Sequence, residues 1–233
     1  MIRTISTHGD RICVGDMTQS FIFLKYTKDR NELLMFADDS TPRYTTCGTL
    51  VDYQTIAGGD KFGNMFVLRL PDQLLDDGTA TSSASTNSME QSLWDANPVH
   101  GASNKLIQLN QYYIGDIMTS ITKTSVVTGA KEVLLYSTIQ GRIGIFLPML
   151  TRSDVEFFQN LELNIRKECS TLSGWSHFAY RSYYIPLREV VDGSLCEMFF
   201  DLSLECQTNI ANNMEREIDD IKKKIEDQRQ RAL

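Results

Sequence analysis

The chain has 233 residues, and 42% of them are hydrophobic, which is enough to bury a sizeable core in one large or two ordinary domains. Lys and Arg number 23 against 30 Asp and Glu, so the net charge of -7 argues against nucleic-acid binding by the surface as a whole. No apolar run reaches the roughly 18 residues of a membrane span, and the five cysteines are widely spaced without a C-x-x-C pair. These features predict a soluble intracellular protein with buried structural thiols.

A repeated pattern dominates the first 150 residues. Residues 12–24, ICVGDMTQSFIFL, and residues 56–68, IAGGDKFGNMFVL, share an apolar run, Gly-Asp, a polar turn and a second apolar run. Residues 134–147, LLYSTIQGRIGIFL, repeat the shape, with Thr138 in the place of Asp60 and Gly141 in the place of Gly63. Periods in the forties with several short strands per unit are typical of β-propeller blades. The spacing predicts two and a half to three blades, so we expect upstream propeller segments to complete the fold.

The glycine-rich segment at 58–63, GGDKFG, has an alternative interpretation as a phosphate loop. A P-loop requires G-x-x-x-x-G-K-[ST] at the start of a helix. Here Lys61 precedes Phe62 and Gly63 and leads into an apolar run typical of a strand. The segment therefore predicts a hairpin turn, in which glycine supplies a positive φ.

The search for catalytic chemistry finds no motif. His8, His100 and His177 are scattered, and neither H-E-x-x-H nor G-x-S-x-G occurs. The Asp38-Asp39 pair stands in FADDSTPR, where Ser, Thr and Pro favour a turn over an acid and base pair. The sequence therefore predicts no enzyme, no cofactor and no metal site, and a propeller hydrolase stays an alternative without a supporting motif.

An insert separates the second repeat from the third. Residues 71–104 contain DDGTATSSASTNS, a polar low-complexity run that predicts a mobile loop. Trp94 follows this run and has two interpretations, as a side chain that pins the returning chain to the blade or as an anchor for a partner.

Helical patterns begin after Pro148. Residues 153–168 predict a helix with Ser153 and Glu156 as a capping box, and Asp192 is predicted to cap a helix that runs through Phe199. A last apolar stripe is expected to pack on the propeller or, as the alternative, on a partner; it consists of Ile210, Met214, Ile218, Ile221 and Ile225.

The patterns together predict a mainly β fold with a helical tail. Residues 1–150 are expected to form the last blades of a β-propeller, with the mobile loop at 71–104. Residues 151–233 are expected to form a small α-helical domain.

Several runs resemble a known family. They are FADDSTPRYTTCGTLVDYQTIAGGDKFGNMFVLRLP at 36–71, GRIGIFLP at 141–148, DVEFFQ at 154–159 and RSYYIPLREVVDGSLCEMF at 181–199. They resemble the carboxy-terminal part of the family that includes splicing factor 3b subunit three, the damage-specific DNA-binding protein large subunit and the largest cleavage and polyadenylation specificity factor subunit. The motifs D-K-F-G-N and R-S-Y-Y-x-P favour the splicing branch.

The resemblance implies three propellers followed by a small helical domain, of which this chain holds the last blades and the helices. It implies a non-enzymatic scaffold of the splicing factor 3b complex of the U2 small nuclear ribonucleoprotein, which supports branch-site recognition in the nucleus. The implied partners are the other subunits of that complex, notably the HEAT-repeat subunit, and RNA is reached indirectly. An adaptor of a ubiquitin ligase or DNA-damage-binding complex, or of the polyadenylation machinery, is the alternative.

Three neighbouring residues are predicted to bind a partner, together with Trp94. Arg181, Tyr183 and Tyr184 lie in RSYYIP, and Tyr and Arg are enriched among the anchors of protein interfaces. The alternative is burial between the helical tail and the propeller, since such side chains often cover apolar surface.

Overall fold

The computed structural model describes residues 1–72, 101–127, 129–169 and 174–231. Within these ranges the strands form three sheets, and helices follow from Arg152 onward. Most of the predicted loop at 71–104 lies outside the described residues, and so does Trp94.

Each sheet contains consecutive antiparallel strands. The first sheet has β1 (Ile2–His8), β2 (Arg11–Asp16), β3 (Ser20–Thr27) and β4 (Glu32–Asp38), and the short β8 (Asn104–Lys105) runs parallel to β4. The second sheet has β5 (Thr45–Leu50), β6 (Thr55–Asp60), β7 (Asn64–Arg69) and β9 (Ile107–Tyr113). The third has β10 (Met118–Thr124), β11 (Val133–Thr138) and β12 (Ile143–Phe146).

The three sequence repeats are three hairpins, β2–β3, β6–β7 and β11–β12. Gly63 and Gly141 both have φ of +84°, a left-handed conformation that favours glycine, at the matching position of their turns. A strand and not a helix follows Gly63, so the prediction of a hairpin is confirmed and the phosphate-loop alternative is wrong.

One polar side chain organises each of these turns. The Asp16 carboxylate accepts hydrogen bonds from the backbone N–H groups of Thr18 and Gln19 at 2.8 and 3.0 Å. The Asp60 carboxylate accepts from the N–H of Phe62 at 2.8 Å and of Asn64 at 3.0 Å. In the third hairpin, the Thr138 hydroxyl accepts from the Arg142 N–H at 3.2 Å. The repeat therefore preserves a turn in which a side chain replaces a backbone acceptor.

The core between the first two sheets is built around an aromatic ring. Phe21 is fully buried, and a Cβ at Gly48 or Gly58 would overlap its ring. Those two glycines therefore let the ring lie directly against the second sheet. On the opposite face of the second sheet, where the third sheet packs, a Cβ at Gly59 would overlap the Met118 side chain in the same way.

Contacts between sheets run through their first strands, since β5 touches both β1 and β10. This arrangement is the one expected for neighbouring blades, whose faces cover one another. The predicted fold class is confirmed: a mainly β structure of open antiparallel sheets, consistent with a partial propeller, is followed by helices.

The helices have a core of their own. They are α1 (Arg152–Glu168), α2 (His177–Arg181), α3 (Gly193–Glu197) with a following 3₁₀ turn (Met198–Asp201), α4 (Leu204–Asn213) and α5 (Ile218–Gln230). Phe158, Leu161 and Ile165 of α1 pack against Phe199 and Ile210, and all five are buried. None of the described helices combines the length and the apolar character of a membrane span.

Two predictions about the helices are wrong in detail. The cap of α1 is Thr151, whose hydroxyl accepts from the Asp154 N–H at 3.2 Å, and Ser153 lies inside the first turn. The apolar stripe is split between α4 and α5, and its residues Ile210, Ile221 and Ile225 are buried in the helical core. The stripe therefore packs within the helical core, in the same cluster as Leu161 and Ile165 of α1.

Candidate protein interface

Arg181 connects the helical part of the chain to the second sheet. Its Nε donates to the Asp192 carboxylate at 2.7 Å, and its Nη1 donates to the carbonyls of Tyr113 at 3.0 Å and Ile114 at 3.3 Å. The side chain is only 13% exposed, and its guanidinium lies 4.7 Å from the centre of the Tyr112 ring. Arg181 thus bridges the end of β9 and the segment before α3.

Asp192 is the buried partner that holds this bridge. One carboxylate oxygen caps α3 by accepting from Ser194 N–H and Leu195 N–H at 3.0 and 3.3 Å, which confirms the predicted cap. The other oxygen lies 2.8 Å from His177 Nε2. Burial acts to raise the pKa of Asp192, but the hydrogen bond from His177 and the charge of Arg181 hold the pKa well below its ordinary value.

An aromatic cluster covers this bridge on the outside. The Tyr113 ring lies 5.3 Å from Tyr180, 5.6 Å from Tyr183 in a stacked arrangement and 5.6 Å from Tyr184. Tyr183 and Tyr184 are themselves 4.8 Å apart, edge to face. Such pairs add stability beyond the area they bury.

The cluster continues onto the second sheet, at the β6–β7 turn and at the residue before β5. Phe62 lies 5.4 Å from Tyr184, and Tyr44 lies 5.9 Å from Phe62. At the opposite end, Trp175 lies 6.2 Å from Tyr183. We call this continuous set of rings the tyrosine surface; its members are Tyr44, Phe62, Tyr113, Trp175, Tyr180, Tyr183 and Tyr184.

Unusual backbone conformations support the tyrosine surface. Gly115 has φ of +92°, and a Cβ at this position would overlap the Tyr180 hydroxyl. Tyr44 has φ of +48°, a conformation that side chains other than glycine rarely adopt, and its carbonyl accepts from the Lys61 N–H at 3.1 Å. Backbone strain of this kind persists where the surroundings hold it, often at binding sites.

The segment between α2 and α3 lies along the outer edge of the second sheet. Arg188 and Gln111 exchange backbone hydrogen bonds of 3.0 and 3.1 Å, as an isolated antiparallel bridge beside β9. The Asn110 side chain donates to the Glu189 carbonyl at 2.6 Å. These contacts fix the segment that carries Tyr183 and Tyr184.

The predicted partner-binding residues therefore divide into two kinds. Arg181 is mainly buried and joins parts of the chain, as the alternative interpretation expected. Tyr183 and Tyr184 are 51% and 53% exposed, and large exposed aromatic side chains in a continuous patch are typical of protein interfaces. Partner binding by these three residues stays a prediction.

The described residues place the groups considered for catalysis in structural surroundings. They contain no group of three metal-ligating side chains. Asp39 pairs with Arg43 at 2.7 Å and Asp38 with Lys105 at 2.7 Å, so the two neighbouring carboxylates have separate structural partners. Burial raises the pKa of the Cys13 thiol, which makes it a poor nucleophile.

A cavity of about 480 Å³ lies between the second sheet, the third sheet and α1. Its walls are mainly aliphatic and include Val67, Leu134 and Val155. The charged side chains at this cavity include Lys123 and Glu132, which pair with each other at 2.6 Å.

Comparison with known proteins places these features in a family. The chain is 42% identical to the probable splicing factor 3B subunit 3 of Dictyostelium discoideum, over 100% of this chain and 18% of the relative. It is 43% identical to the pre-mRNA-splicing factor prp12 of Schizosaccharomyces pombe, over 100% of this chain and 19% of the relative. It is 40% identical to the splicing factor 3B subunit 3 of Drosophila melanogaster, over 99% of this chain and 18% of the relative.

The chain thus spans about a fifth of the length of the relatives it matches. The family model of the CPSF A subunit region matches residues 1–201. Because that match covers most of the chain, the protein belongs to the CPSF A subunit family.

Proposed function

We propose that this chain acts in pre-mRNA splicing, as part of a non-enzymatic scaffold subunit of the splicing factor 3B complex. The observation that carries the proposal is the identity of about two fifths, over the whole chain, with proteins named as splicing factors in an amoeba, a yeast and an insect. The adaptor of a ubiquitin ligase or of the polyadenylation machinery is not favoured, because these relatives carry splicing names.

The proposal includes a nuclear location and membership of the U2 small nuclear ribonucleoprotein. Its direct partners are other subunits of the complex, notably the HEAT-repeat subunit, and branch-site RNA is reached through them. The net charge of -7 supports protein contacts over direct contact with phosphates. The tyrosine surface supports the same view, because it offers half-exposed rings on a backbone fixed by Arg181 and Asp192.

Affinity purification of the tagged chain from nuclear extract, followed by mass spectrometry, tests the proposal. We expect the other splicing factor 3B subunits among the recovered proteins. Recovery of ubiquitin-ligase or polyadenylation components without splicing factors would contradict it.

A paired variant tests the role of the tyrosine surface. Replacing both Tyr183 and Tyr184 by Ser is expected to reduce recovery of these subunits, because exposed aromatic rings act as anchors. The matched control replaces Tyr26 and Tyr53 by Ser. Both residues lie outside the tyrosine surface, so recovery of the subunits is expected to stay near that of the wild type. Thermal denaturation of both variants checks that the fold is retained.

We also propose that residues 1–150 and 151–233 are two domains, and that residues 181–189 of the second join it to β9 of the first. The last strand ends at Phe146 and α1 begins at Arg152, which supports a division near this point. Limited proteolysis with mass spectrometry tests the boundary, and cleavage within α1 before any cleavage near residue 150 would contradict it.

A further inference from the structure

A pocket opens beside the tyrosine surface at the turn between β6 and β7. Its volume is about 190 Å³, and the rings of Phe62 and Tyr184 form part of its wall. Asp60 and Asn64 also line the pocket and form its floor, since they are only 2% and 1% exposed. The pocket therefore has an aromatic entrance and a polar base.

The floor carries the Asp60 carboxylate, which forms no ion pair among the described residues. Asp60 accepts hydrogen bonds only from neutral donors, the N–H of Phe62 and the N–H and side-chain amide of Asn64. Among the described residues, no lysine or arginine lies within ion-pair distance of this carboxylate; Arg43 also lines the pocket, but its Nε is paired with Asp39 at 2.7 Å. Burial raises the pKa of Asp60, and the hydrogen bonds from Asn64 and Phe62 and the nearby charge of Arg43 oppose this rise without cancelling it.

Asn64 adds a second acceptor to the floor. Its side-chain nitrogen donates to Asp60 Oδ2 at 2.7 Å, and because a carboxylate only accepts, this bond fixes the orientation of the amide. The amide oxygen is left buried without a hydrogen-bond partner. An unpaired buried acceptor is uncommon and costly, and it adds to the negative potential at the floor.

The wall has a matching preference. The rings of Phe62 and Tyr184 lie 5.4 Å apart, and the faces of aromatic rings attract cations. The chain shows this attraction nearby, where the Lys61 ammonium lies 3.7 Å from the centre of the Tyr44 ring and 5.0 Å from that of Phe62. Lys61 itself is not among the residues that line the pocket.

We propose that this pocket binds a lysine or arginine side chain of a protein partner. The cationic group lies against the rings of Phe62 and Tyr184, above the Asp60 carboxylate, and its N–H groups point toward the floor. The identification of the partner as a protein of the complex rests on the proposed function. A negative floor repels phosphate, so RNA is not the expected ligand.

Small probes test the pocket without any partner. We expect N-acetyl-lysine methylamide and N-acetyl-arginine methylamide to shift the NMR signals of the Phe62 and Tyr184 rings in the full chain. N-acetyl-citrulline methylamide, which has a similar shape without the charge, is expected to leave them unchanged. Equal shifts with citrulline, or no shift with either cation, would overturn the proposal.

Matched variants test whether the Asp60 charge is responsible. Asp60→Asn removes the charge with little change of shape and is expected to weaken binding of the cationic probes about tenfold. Asp16→Asn is the control, because Asp16 has the same role in the turn of the first hairpin but lies away from this pocket. Equal losses in both variants, or unchanged binding by Asp60→Asn, would contradict a role for the charge.

A second pair of variants avoids the buried turn. Tyr184 is half-exposed, so Tyr184→Leu is expected to keep the fold and to weaken binding of the cationic probes. Tyr184→Phe keeps the aromatic ring and is expected to bind the probes as the wild type does. Binding by Tyr184→Leu equal to that of the wild type would count against the aromatic wall.

Photo-crosslinking in the purified complex then identifies the natural occupant. With p-benzoylphenylalanine in place of Tyr184, we expect crosslinks to a protein segment that contains a lysine or arginine. Crosslinks to RNA, or to segments without a basic residue, would overturn the proposal. Recovery of splicing factors with no response to the cationic probes defeats the pocket alone; a response to the probes without recovery of splicing factors defeats the proposed function alone.

Discussion

The second sheet and its two neighbours share one repeat but differ in burial. Strands β6 and β7 are buried along nearly their whole length. In the first sheet, Leu33 and Leu34 of β4 are 58% and 55% exposed, and in the third sheet Ile143 of β12 is 73% exposed. Similar apolar runs thus have different environments, because within the described part of the chain only the second sheet packs against another sheet on each face. Burial in this fold is a property of the neighbours as much as of the strand itself.

The largest expected effect is at the centre of the second sheet. Phe66→Ala removes a fully buried ring and is expected to lower the free energy of unfolding by about 3–5 kcal/mol. Leu34→Ala, in the exposed first half of strand β4, is expected to change it by no more than about 0.5 kcal/mol. Urea denaturation of both variants gives the two values. Similar losses of stability would contradict the difference in burial between the first and second sheets.

The segment along the outer edge of the second sheet depends on Asp192. Asp192→Ala leaves the Arg181 and His177 side chains without their buried acceptor, and we expect a loss of about 3 kcal/mol. The pKa of Asp192 is lowered in the folded state, so the ionised carboxylate stabilises the fold. This stabilisation is fully present above the ordinary pKa of an aspartate, and it declines as the pH falls below that value.

Urea denaturation across the acidic range measures this dependence. We expect the free energy of unfolding to fall less with decreasing pH in Asp192→Asn than in the wild type, because the variant cannot ionise at this position. The same decline in both proteins would show that other groups cause it.

The close approach of the first two sheets is expected to be less costly to disturb. Gly58→Ala places a Cβ in the Phe21 ring and is expected to lower the free energy of unfolding by about 1–3 kcal/mol. Gly193→Ala is the control, since no atom from elsewhere in the fold lies within 4 Å of the added Cβ. A loss at Gly193 as large as that at Gly58 would contradict the steric explanation.

The smallest effect on stability is expected for the exposed apolar side chains of the outer sheets. Leu34→Lys together with Ile143→Lys should leave the free energy of unfolding within about 0.5 kcal/mol of the wild type. The same change should reduce self-association, because exposed apolar patches promote contacts between molecules. Light scattering measures the association, and a wild-type chain that is already monodisperse would contradict the premise.

Local patterns made the hairpins predictable. The Gly-Asp repeat predicted the turns at Asp16 and Asp60, because the residues that fold such a turn are close in sequence. Asp192 was likewise predictable as a cap, since its backbone partners follow within three residues. The start of α1 was misplaced by two residues because Thr151 and Ser153 are both good caps, and only the geometry distinguishes them.

The tyrosine surface was only partly predictable. Tyr183 and Tyr184 stood out in RSYYIP, but Tyr44, Phe62 and Tyr113 join them from other parts of the chain. Contacts between residues so distant in sequence leave no periodic signal. The pairing of Arg181 and His177 with Asp192 was missed for a similar reason, since these residues belong to different elements joined by an irregular segment.

The backbone bridge between Arg188 and Gln111 limits how another protein can attach here. It occupies hydrogen-bonding groups on the outer edge of β9 that an added strand would need. At this point of the edge, recognition by β-augmentation would require the chain to release its own bridge first. Attachment on this side of the molecule is therefore expected to use side chains, which favours partners selected by shape and charge over partners selected by backbone pairing.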